Sequence, residues 1–231
     1  MTQVKLLTDA IDAFIKGCKA DGNWNQIKAC CIMAAWDGLN GALVPIKGPA
    51  PTNVNFVSAD YNRITGLKGD GSTKYIDSNR SAAADPQNSY HQVVGVRERR
   101  TGDGNAGIIG AGLTATGTSH IFDGGGSLAS ALGVRSRTSS PVTIGGDATG
   151  PFIGAFRKSE TNVVIRSGNA SVGYSRGSET PIDQNVLVFG RNLSAEYDGR
   201  LDFYSIGEDC DEVAFNNRYN ALRSAIEEAL T

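Results

Sequence analysis

The stretch FIGAFRKSETNVVIR, residues 152–166, holds two short runs of β-branched and aromatic residues separated by a polar turn. Runs of this kind are typical of neighbouring β-strands. The same pattern recurs between residues 54 and 206, with Gly, Asn, Asp and Ser clusters between the runs. It predicts strands at Thr73–Asp77, Tyr90–Val96, Gly107–Ala111, His120–Phe122, Leu128–Arg135, Phe152–Arg157, Asn162–Arg166, Ser171–Ser175, Asn185–Gly190 and Arg200–Ile206.

The regular spacing of these strands favours a mainly β fold, built as an antiparallel β-sandwich or jelly roll. A parallel βαβ fold is disfavoured because no helix-length apolar pattern interrupts the strands. The 29 glycines among 231 residues are widely scattered, so tight turns explain them better than a collagen repeat.

Helical patterns lie at both ends of the chain. Near the N-terminus, apolar residues recur at three- and four-residue steps, which indicates one buried helix face: Leu7, Ala10, Ile11, Phe14, Ile15 and Cys18. A second stripe predicts a partner helix in a hairpin, with Asn23 as N-cap and Gln26 in the capping box: Trp24, Ile27, Cys31, Ala34 and Ala35. A C-terminal helix is predicted from Asp209 as cap and the stripe Phe215, Tyr219, Leu222, Ile226 and Leu230.

Three prolines between residues 45 and 51 favour an extended, stiff connection after the helical hairpin. The sequence therefore predicts four segments. These are an N-terminal helical attachment or oligomerisation segment at 1–43, a Pro-rich linker at 44–53, a β-sandwich domain at 54–208, and a C-terminal helix at 209–231. The last helix is expected to pack on the sandwich or on a neighbouring subunit.

Composition excludes several classes of partner. Basic and acidic residues number 22 and 24, and no basic stripe is present, so a nucleic-acid partner is not expected. The N-terminus carries acids within its apolar pattern, unlike a signal peptide. Since no uncharged apolar stretch reaches about 18 residues, membrane insertion is not expected either.

The four cysteines are Cys18, Cys30, Cys31 and Cys210, with no CxxC pair among them. Because the chain has only His91 and His120 as histidines, a zinc site is disfavoured, and buried thiols are expected. A disulfide between Cys18 and Cys30 or Cys31 stays open, although a reducing cytosol disfavours it.

Each enzymatic arrangement lacks a part, so no catalytic residue is predicted and the chain is expected not to be an enzyme. A sandwich glycanase needs paired carboxylates on one strand face, and no E-x-D-x-x-E occurs. The acidic run 208–212 is better explained as a helix start. His120 and His91 have no G-x-S-x-G nucleophile elbow, and a lone strand histidine is more often structural.

No metal ligand is predicted and no cofactor is expected. A structural calcium ion stays open at the Asp- and Asn-rich loops 69–73, 102–105 and 123–126, although their spacing matches no EF-hand. The basic run 97–100, which ends in a Gly-rich turn, is interpreted as a solvated edge or loop. Tyrosines that could stack on sugars are equally ordinary core and rim residues, and the sequence leaves both uses open: Tyr61, Tyr75, Tyr90, Tyr174 and Tyr197.

The C-terminal half resembles a known fold family. The strand pattern FIGAFR (152–157), NVVIR (162–166), VLVFGRN (186–192) and YDGRLDFYSIG (197–207) is similar to the late strands of laminin-G and concanavalin A-like sandwiches. The resemblance covers roughly residues 55–207. It implies a concanavalin A-like antiparallel β-sandwich and says little about activity.

A second resemblance spans the chain. The segments DAFIKGCKADG (12–22), PTNVNF (51–56), DYNRITGLKGDGSTKY (60–75) and FYSIG (203–207) look like a module of tailed-phage virion proteins, cyanophages included. This resemblance implies a virion component, assembled in the host cytoplasm, oligomeric and with adhesion to a host surface. Because the module begins at the start of this sequence, a short fibre, fibre tip or capsid decoration protein is favoured over a long fibre.

The main functional hypothesis is a structural virion protein held by its helices to other virion proteins and to itself, with a trimer favoured by analogy. The alternative is a carbohydrate-binding receptor module for a host surface glycan, whose contact residues the sequence does not identify. A glycanase is the least favoured. The expected oligomer or virion interface consists of Phe14, Ile15, Trp24, Ile27, Phe215, Tyr219, Leu222 and Ile226.

Overall fold

The structure, a computed structural model, describes residues 2–100, 105–124, 131–144, 150–192 and 194–231. Its helices are α1 (Gln3–Ala20), α2 (Leu39–Ala42) and α3 (Glu212–Leu230). Its strands are β1 (Ile27–Ile32), β2 (Thr52–Val54), β3 (Tyr61–Asn62), β4 (Gly66–Lys68), β5 (Tyr75–Ser81), β6 (Tyr90–Glu98), β7 (Ala106–Ala111), β8 (Ser119–Asp123), β9 (Leu132–Ser136), β10 (Val142–Ile144), β11 (Phe152–Arg157), β12 (Asn162–Ser167), β13 (Ala170–Ser175), β14 (Asn185–Val188), β15 (Gly190–Arg191), β16 (Ser194–Ala195) and β17 (Arg200–Gly207). Short 3₁₀ turns cover Ser58–Asp60 and Ala82–Ala84.

Two antiparallel sheets form the sandwich. The larger has the order β13-β12-β11-β6-β17-β4-β3, and β1 also pairs with β17. The smaller has the order β10-β9-β8-β7-β14-β5-β2. Apolar residues from both sheets, among them Val94 and Ile109, form one core between them. The predicted mainly β sandwich with an N-terminal and a C-terminal helix is therefore confirmed.

The predicted strands also appear, with boundaries shifted by a few residues. The strand predicted at Leu128–Arg135 is described from Leu132, and residues 128–130 lie outside the described part of the chain. The strand predicted at Asn185–Gly190 is interrupted, because Phe189 adopts a left-handed φ of 69°. The short strands β2, β3, β4, β10 and β16 were not predicted, since two or three residues carry no readable period.

A second core lies between the larger sheet and the helices. Helices α1 and α3 pack against each other and cover the sheet face opposite the sandwich core. Aromatic rings fill the space, with Phe14 at 5.7 Å from Phe203 and Phe152 at 5.7 Å from Phe215, measured between ring centroids. The edge-to-face geometry of both pairs suits the ring quadrupoles. The central strands of the larger sheet, β11, β6, β17 and β1, are therefore buried on both faces.

The predicted second helix of an N-terminal hairpin is wrong. Residues 27–32 form strand β1, which runs antiparallel to β17. Cys30 and Ile32 face the helices, while Ala29 and Cys31 face the sandwich core. A strand buried on both faces is an unbroken apolar run, and periodicity alone does not separate it from a buried helix.

The predicted cap at Asn23 serves a different helix. Its side chain accepts a 2.9 Å hydrogen bond from the backbone N–H of Asp211 and donates a 3.0 Å bond to the carbonyl of Asp211. Asp211, rather than the predicted Asp209, is the N-cap of α3, because its carboxylate accepts from the N–H groups of Val213 and Ala214. Asn23 thus joins the end of α1 to the start of α3.

The predicted oligomer-interface residues lie largely in the interior of their own chain. Six of the eight side chains are buried in the core between the larger sheet and the helices: Phe14, Ile27, Phe215, Tyr219, Leu222 and Ile226. Ile15 and Trp24 are half-buried beside the same core. The six buried side chains are therefore unavailable to another subunit, and the trimer stays a prediction.

The Pro-rich segment predicted as a linker lies against the sheet. Lys47 pairs with Cys30 of β1 through an isolated antiparallel bridge, and Thr52–Val54 forms β2 at the edge of the smaller sheet. Strand β1, which precedes the segment in the chain, is itself paired with β17. The four cysteines are buried and free, as expected for structural thiols. No helix within the described ranges is both long and apolar enough to cross a membrane.

Candidate functional site

The backbone is strained where the chain leaves β1. Ala35 adopts a left-handed φ of 78°, and Gly38 follows with a φ of 134°. The N–H of Ala35 donates a 2.7 Å hydrogen bond to the carbonyl of Arg63, which holds this conformation in place. A non-glycine residue in this region costs roughly 1–3 kcal/mol and tends to occur at functional loops. Residues 35–41, here called the Trp36 loop, are therefore a candidate binding loop.

Trp36 is fixed at the base of this loop. Its indole N–H donates a 2.6 Å hydrogen bond to the carbonyl of Ile32, and its own carbonyl accepts a 2.6 Å bond from the Tyr61 hydroxyl. Gly41 lies so close that a Cβ there would be 2.7 Å from the Trp36 Cβ. The half-buried indole is thus held in one orientation before any ligand arrives.

Two cavities flank the Trp36 loop. The larger, of about 240 Å³, is lined by Asp37, Gly38, Leu39, Asn40, Gly41 and Ser58. The smaller, of about 130 Å³, lies between the Trp36 loop and the first half of α1 and is lined mainly by apolar groups, Trp36 included. Asp37 lines both cavities, and its carboxylate is 81% exposed while pairing with Arg63 at 3.0 Å.

These groups match the chemistry of a sugar. Carboxylate, amide and hydroxyl groups at Asp37, Asn40 and Ser58 can donate to or accept from sugar hydroxyls. The indole of Trp36 offers an apolar surface for the C–H face of a sugar ring. The sequence signal for this site is the pattern Trp-Asp-Gly-x-Asn at residues 36–40, which directly follows the apolar stripe that predicts a helix.

The predicted sugar-stacking tyrosines are dispersed by the fold. Tyr90 and Tyr197 are fully buried in the sandwich core and cannot contact a ligand. Tyr61 reaches the candidate site through its hydroxyl bond to Trp36. Tyr75 and Tyr174 are half-buried on β5 and β13, which belong to different sheets.

The two histidines are buried within the sheets. The Nδ1 of His91 donates to the carbonyl of Glu208, because a carbonyl can only accept, and its Nε2 therefore accepts from Ser205 Oγ at 2.8 Å. A serine–histidine pair of this kind has the geometry of a nucleophile and base. His91 and Ser205 are both fully buried, however, so the described residues give a substrate no access to them. Burial lowers the pKa of His91 to about 4.

His120 lies on β8 beside Arg191. Its Nδ1 is 3.2 Å from the carbonyl of Gly112, and its Nε2 is 3.3 Å from the Arg191 guanidinium. Burial, and then the charge of Arg191, lower the pKa of His120 to about 3. The ring is therefore neutral at physiological pH and serves as a packing and hydrogen-bonding group, as expected for a strand histidine.

In the loop 69–73, the carboxylate of Asp70 accepts hydrogen bonds from the loop's own backbone. Asp70 accepts hydrogen bonds of 2.8–3.0 Å from the backbone N–H groups of Ser72, Thr73 and Lys74. These bonds, working against desolvation, hold the pKa of Asp70 far below its usual range. Within the described residues no cluster of His, Cys, Asp or Glu is suited to a metal ion. The other two loops considered for calcium, 102–105 and 123–126, lie largely outside the described residues.

Comparisons with known proteins establish the fold alone. No family model and no curated protein matches the sequence. Among solved structures, the binding domain of botulinum neurotoxin serotype D is similar over 87% of this chain and 52% of its own, with a TM-score of 0.54 and 10% identity. The binding domain of botulinum neurotoxin DC in complex with SialylT is similar over 85% of this chain and 51% of its own, with a TM-score of 0.57 and 13% identity. A Trypanosoma rangeli sialidase mutant displaying trans-sialidase activity is similar over 94% of this chain and 39% of its own, with a TM-score of 0.54 and 10% identity.

The chain thus has a two-sheet β-sandwich fold similar to that of these structures, with the N-terminal and C-terminal helices packed on the larger sheet. It spans about half the length of the neurotoxin binding domains that it matches. At this identity, no ligand contact can be transferred residue by residue.

Proposed function

We propose that this chain is a carbohydrate-binding module and that the Trp36 loop holds the sugar. The observation that carries the proposal is the 240 Å³ polar cavity next to a tryptophan whose orientation is already fixed. Sites for small ligands typically combine an apolar or aromatic wall with a few placed polar groups. A preformed site also loses less conformational entropy when it binds.

The site favours a neutral sugar ring. Asp37 is exposed and would repel a carboxylate-bearing ligand, while it readily accepts hydrogen bonds from hydroxyl groups. Asn40 and Ser58 add uncharged donors and acceptors in the same cavity. A sugar in the polar cavity can hydrogen-bond to these groups, and Asp37 connects this cavity with the smaller one that Trp36 lines.

The structural neighbours support a glycan ligand in general terms. The binding domain of botulinum neurotoxin DC forms a complex with SialylT, and cell entry of botulinum neurotoxin type C depends on interaction with two ganglioside molecules. SialylT and the gangliosides are ligands of the neurotoxins and are not assigned to this chain. What they contribute here is that a β-sandwich of this kind occurs in chains that recognise surface glycans.

The sequence resemblance to a tailed-phage module extends the proposal to a location. We propose that the glycan belongs to a host cell surface and that the module is displayed on a virion as a short fibre, fibre tip or capsid decoration. Immunogold labelling of purified particles would test this location independently of glycan binding. Failure to label particles would reject the virion placement and leave the binding proposal standing.

A glycan array followed by calorimetry tests the binding function. We expect binding to neutral oligosaccharides, reduced at least tenfold in Asp37→Ala and Asn40→Ala, with unchanged melting temperatures. Asp12→Ala is the matched control, because Asp12 is also an exposed carboxylate in a surface ion pair, with Lys16. Absence of glycan binding, or equal affinity in Asp37→Ala and the wild type, would reject the proposal. Release of reducing sugar would instead indicate a glycanase.

A further inference from the structure

The lysines of this chain divide into two groups. The chain has eight, and six form salt bridges with carboxylates: Lys5, Lys16, Lys28, Lys68, Lys74 and Lys158. The other two, Lys19 and Lys47, have no carboxylate within salt-bridge distance among the described residues. Both of these lysines lie over the same indole ring, that of Trp24.

The geometry around Trp24 concentrates positive charge. The ammonium nitrogen of Lys47 is 4.8 Å from the ring centroid and that of Lys19 is 5.8 Å from it. The ring attracts both cations through its quadrupole, so two positive charges lie next to one indole. Lys47 also donates to the carbonyl of Trp24, which fixes its side chain.

The nearby acidic groups are already engaged. Glu208 pairs with Lys28 at 2.8 Å, and Asp21 pairs with Arg218 through two hydrogen bonds of 2.7 and 2.9 Å. Burial, and then the charges of Lys28 and Lys19, lower the pKa of Lys47 against the opposing effect of Cys30. Among the described residues, neither Lys19 nor Lys47 therefore has a salt bridge that offsets its positive charge.

A cavity opens beside this charge. It has a volume of about 110 Å³ and is lined by Lys19, Gly22, Trp24 and Asn25. Gly22 has a left-handed φ of 78° and leaves the space above it open, since a Cβ there would contact nothing within 4 Å. The exposed amide of Asn25 can donate to or accept from a hydroxyl group.

We propose that the cavity beside Trp24 binds an acidic sugar residue whose carboxylate or sulfate group pairs with Lys19 in the cavity wall and is attracted by Lys47 on the same indole. Asn25 contacts a ring hydroxyl. A nucleic acid fits less well, because the chain has a net charge of −2 and the positive charge is local rather than a stripe along the surface.

This second site is separate from the Trp36 loop. The apolar cavity at Trp36 contacts α1 as far as Ile11, whereas Lys19 lies in the last turn of the helix. At 1.5 Å per residue, the two sites are at least about 12 Å apart along α1. An oligosaccharide with a neutral and an acidic sugar could therefore engage both, but each site can be tested alone.

Fluorine NMR of the whole chain labelled with 5-fluorotryptophan distinguishes the sites, because Trp24 and Trp36 are its two tryptophans. Trp24→Phe and Trp36→Phe assign the two resonances. The probes are a glucuronate-containing tetrasaccharide, a sulfated tetrasaccharide and a neutral glucose tetrasaccharide of the same length, with inorganic phosphate and a short single-stranded DNA as further anions.

We expect either acidic tetrasaccharide to shift the Trp24 resonance with at least tenfold higher affinity than the neutral one. Lys19→Gln and Lys47→Gln should each weaken this binding several-fold, and the double variant should abolish it. Lys16→Gln is the matched control, since Lys16 lies on the same helix and pairs with Asp12; it should bind as the wild type does.

Equal affinity for neutral and acidic probes at Trp24, or no shift of its resonance, would overturn the proposal. Equal loss in Lys16→Gln would show a diffuse charge effect and would also overturn it. Tighter binding of DNA than of either acidic sugar would assign the cluster to nucleic acid instead. A shift at Trp24 with the acidic tetrasaccharides, together with no shift at Trp36 with the neutral tetrasaccharide, would support this site while counting against the Trp36 loop as a glycan site.

Discussion

The hydroxyl of Tyr219, on α3, donates a 2.8 Å hydrogen bond to Oδ1 of Asp202, on β17. Both side chains are buried, and Arg97 of β6 pairs with the other oxygen of the same carboxylate. Burial raises the pKa of Asp202, and the charge of Arg97 and the bond from Tyr219 oppose this effect. The C-terminal helix is thereby joined to the two central strands of the larger sheet.

Tyr219→Phe should remove one donor from this buried carboxylate while keeping the ring in the aromatic core. We expect the free energy of unfolding to fall by about 1–3 kcal/mol, the cost of leaving a buried acceptor short of a partner. Urea denaturation measures the change. Tyr174→Phe is the control, because its hydroxyl makes only an exposed 3.4 Å bond at the sheet edge; equal loss in both variants would contradict the interpretation.

Gly95→Ala should disturb the same contact by steric overlap. A Cβ at Gly95 would lie 2.1 Å from Asp202 Oδ1 and 2.5 Å from the Tyr219 hydroxyl oxygen. Overpacking of this kind typically costs about 1–3 kcal/mol. Gly173→Ala on β13 is matched, since it is also a strand glycine but a Cβ there meets nothing within 4 Å. Thermal unfolding should show a clear loss for the first variant and a change within about 0.5 kcal/mol for the second.

Stability should fall as the pH is lowered from about 6.5, because His91 and His120 are buried in the neutral form. Burial lowers the pKa of His91 to about 4 and that of His120 to about 3. An unfolded chain binds a proton at each histidine below about pH 6.5, whereas the folded chain does not until its lower pKa is reached. The contribution of the two neutral histidines to stability is therefore complete above about pH 6.5, their pKa in the unfolded chain, and is lost progressively as the pH falls below that value.

We expect a loss of up to about 1.4 kcal/mol per histidine for each pH unit below about 6.5. Urea midpoints at pH values of about 7, 6 and 5 measure it above the range where most carboxylates titrate. The double variant His91→Gln/His120→Gln should show a flatter slope, whatever its absolute stability. A slope unchanged by removing both histidines would refute the assignment.

The four cysteines should resist alkylation in the native protein. All are buried, and burial raises the pKa of Cys18 and of Cys31 to about 12, so little thiolate is present at neutral pH. Mass spectrometry after brief iodoacetamide treatment should show an unmodified native chain and a fully modified denatured one. Rapid labelling of one thiol in the native protein would contradict the buried placement of that residue.

Removal of residues 1–43 should prevent folding of the remainder. That segment contains β1, which pairs with β17, and α1, which covers the larger sheet. Its loss would expose the edge of β17 and the aromatic core, including Phe203 and Phe215. We expect no cooperative thermal transition by circular dichroism. A soluble fragment 44–231 that unfolds cooperatively would instead support the domain boundary predicted from the prolines.

Much of the fold could be predicted from the sequence because its elements carry strong local signals. Strands such as Phe152–Arg157 combine β-branched and aromatic residues between turn signals, and α1 and α3 repeat apolar residues with helical period. The sequence pattern predicts a helix at β1, because both faces of this strand are buried and the alternation of apolar and polar residues that identifies a strand is absent. The sequence does not predict the candidate site, because Trp36 directly follows the apolar stripe ending at Ala35, which favours a helix where β1 forms.

The sequence by itself determined that this chain is a β-sandwich with helices at both ends, because hydrophobic period and turn residues are local properties. Only the tertiary structure decided which surfaces are free. The helix stripes predicted to contact other subunits are buried on the larger sheet, and Lys19 and Lys47 meet at Trp24 from segments 28 residues apart. Burial and convergence of distant residues depend on strand pairing across the whole chain, and local patterns carry no information about that pairing.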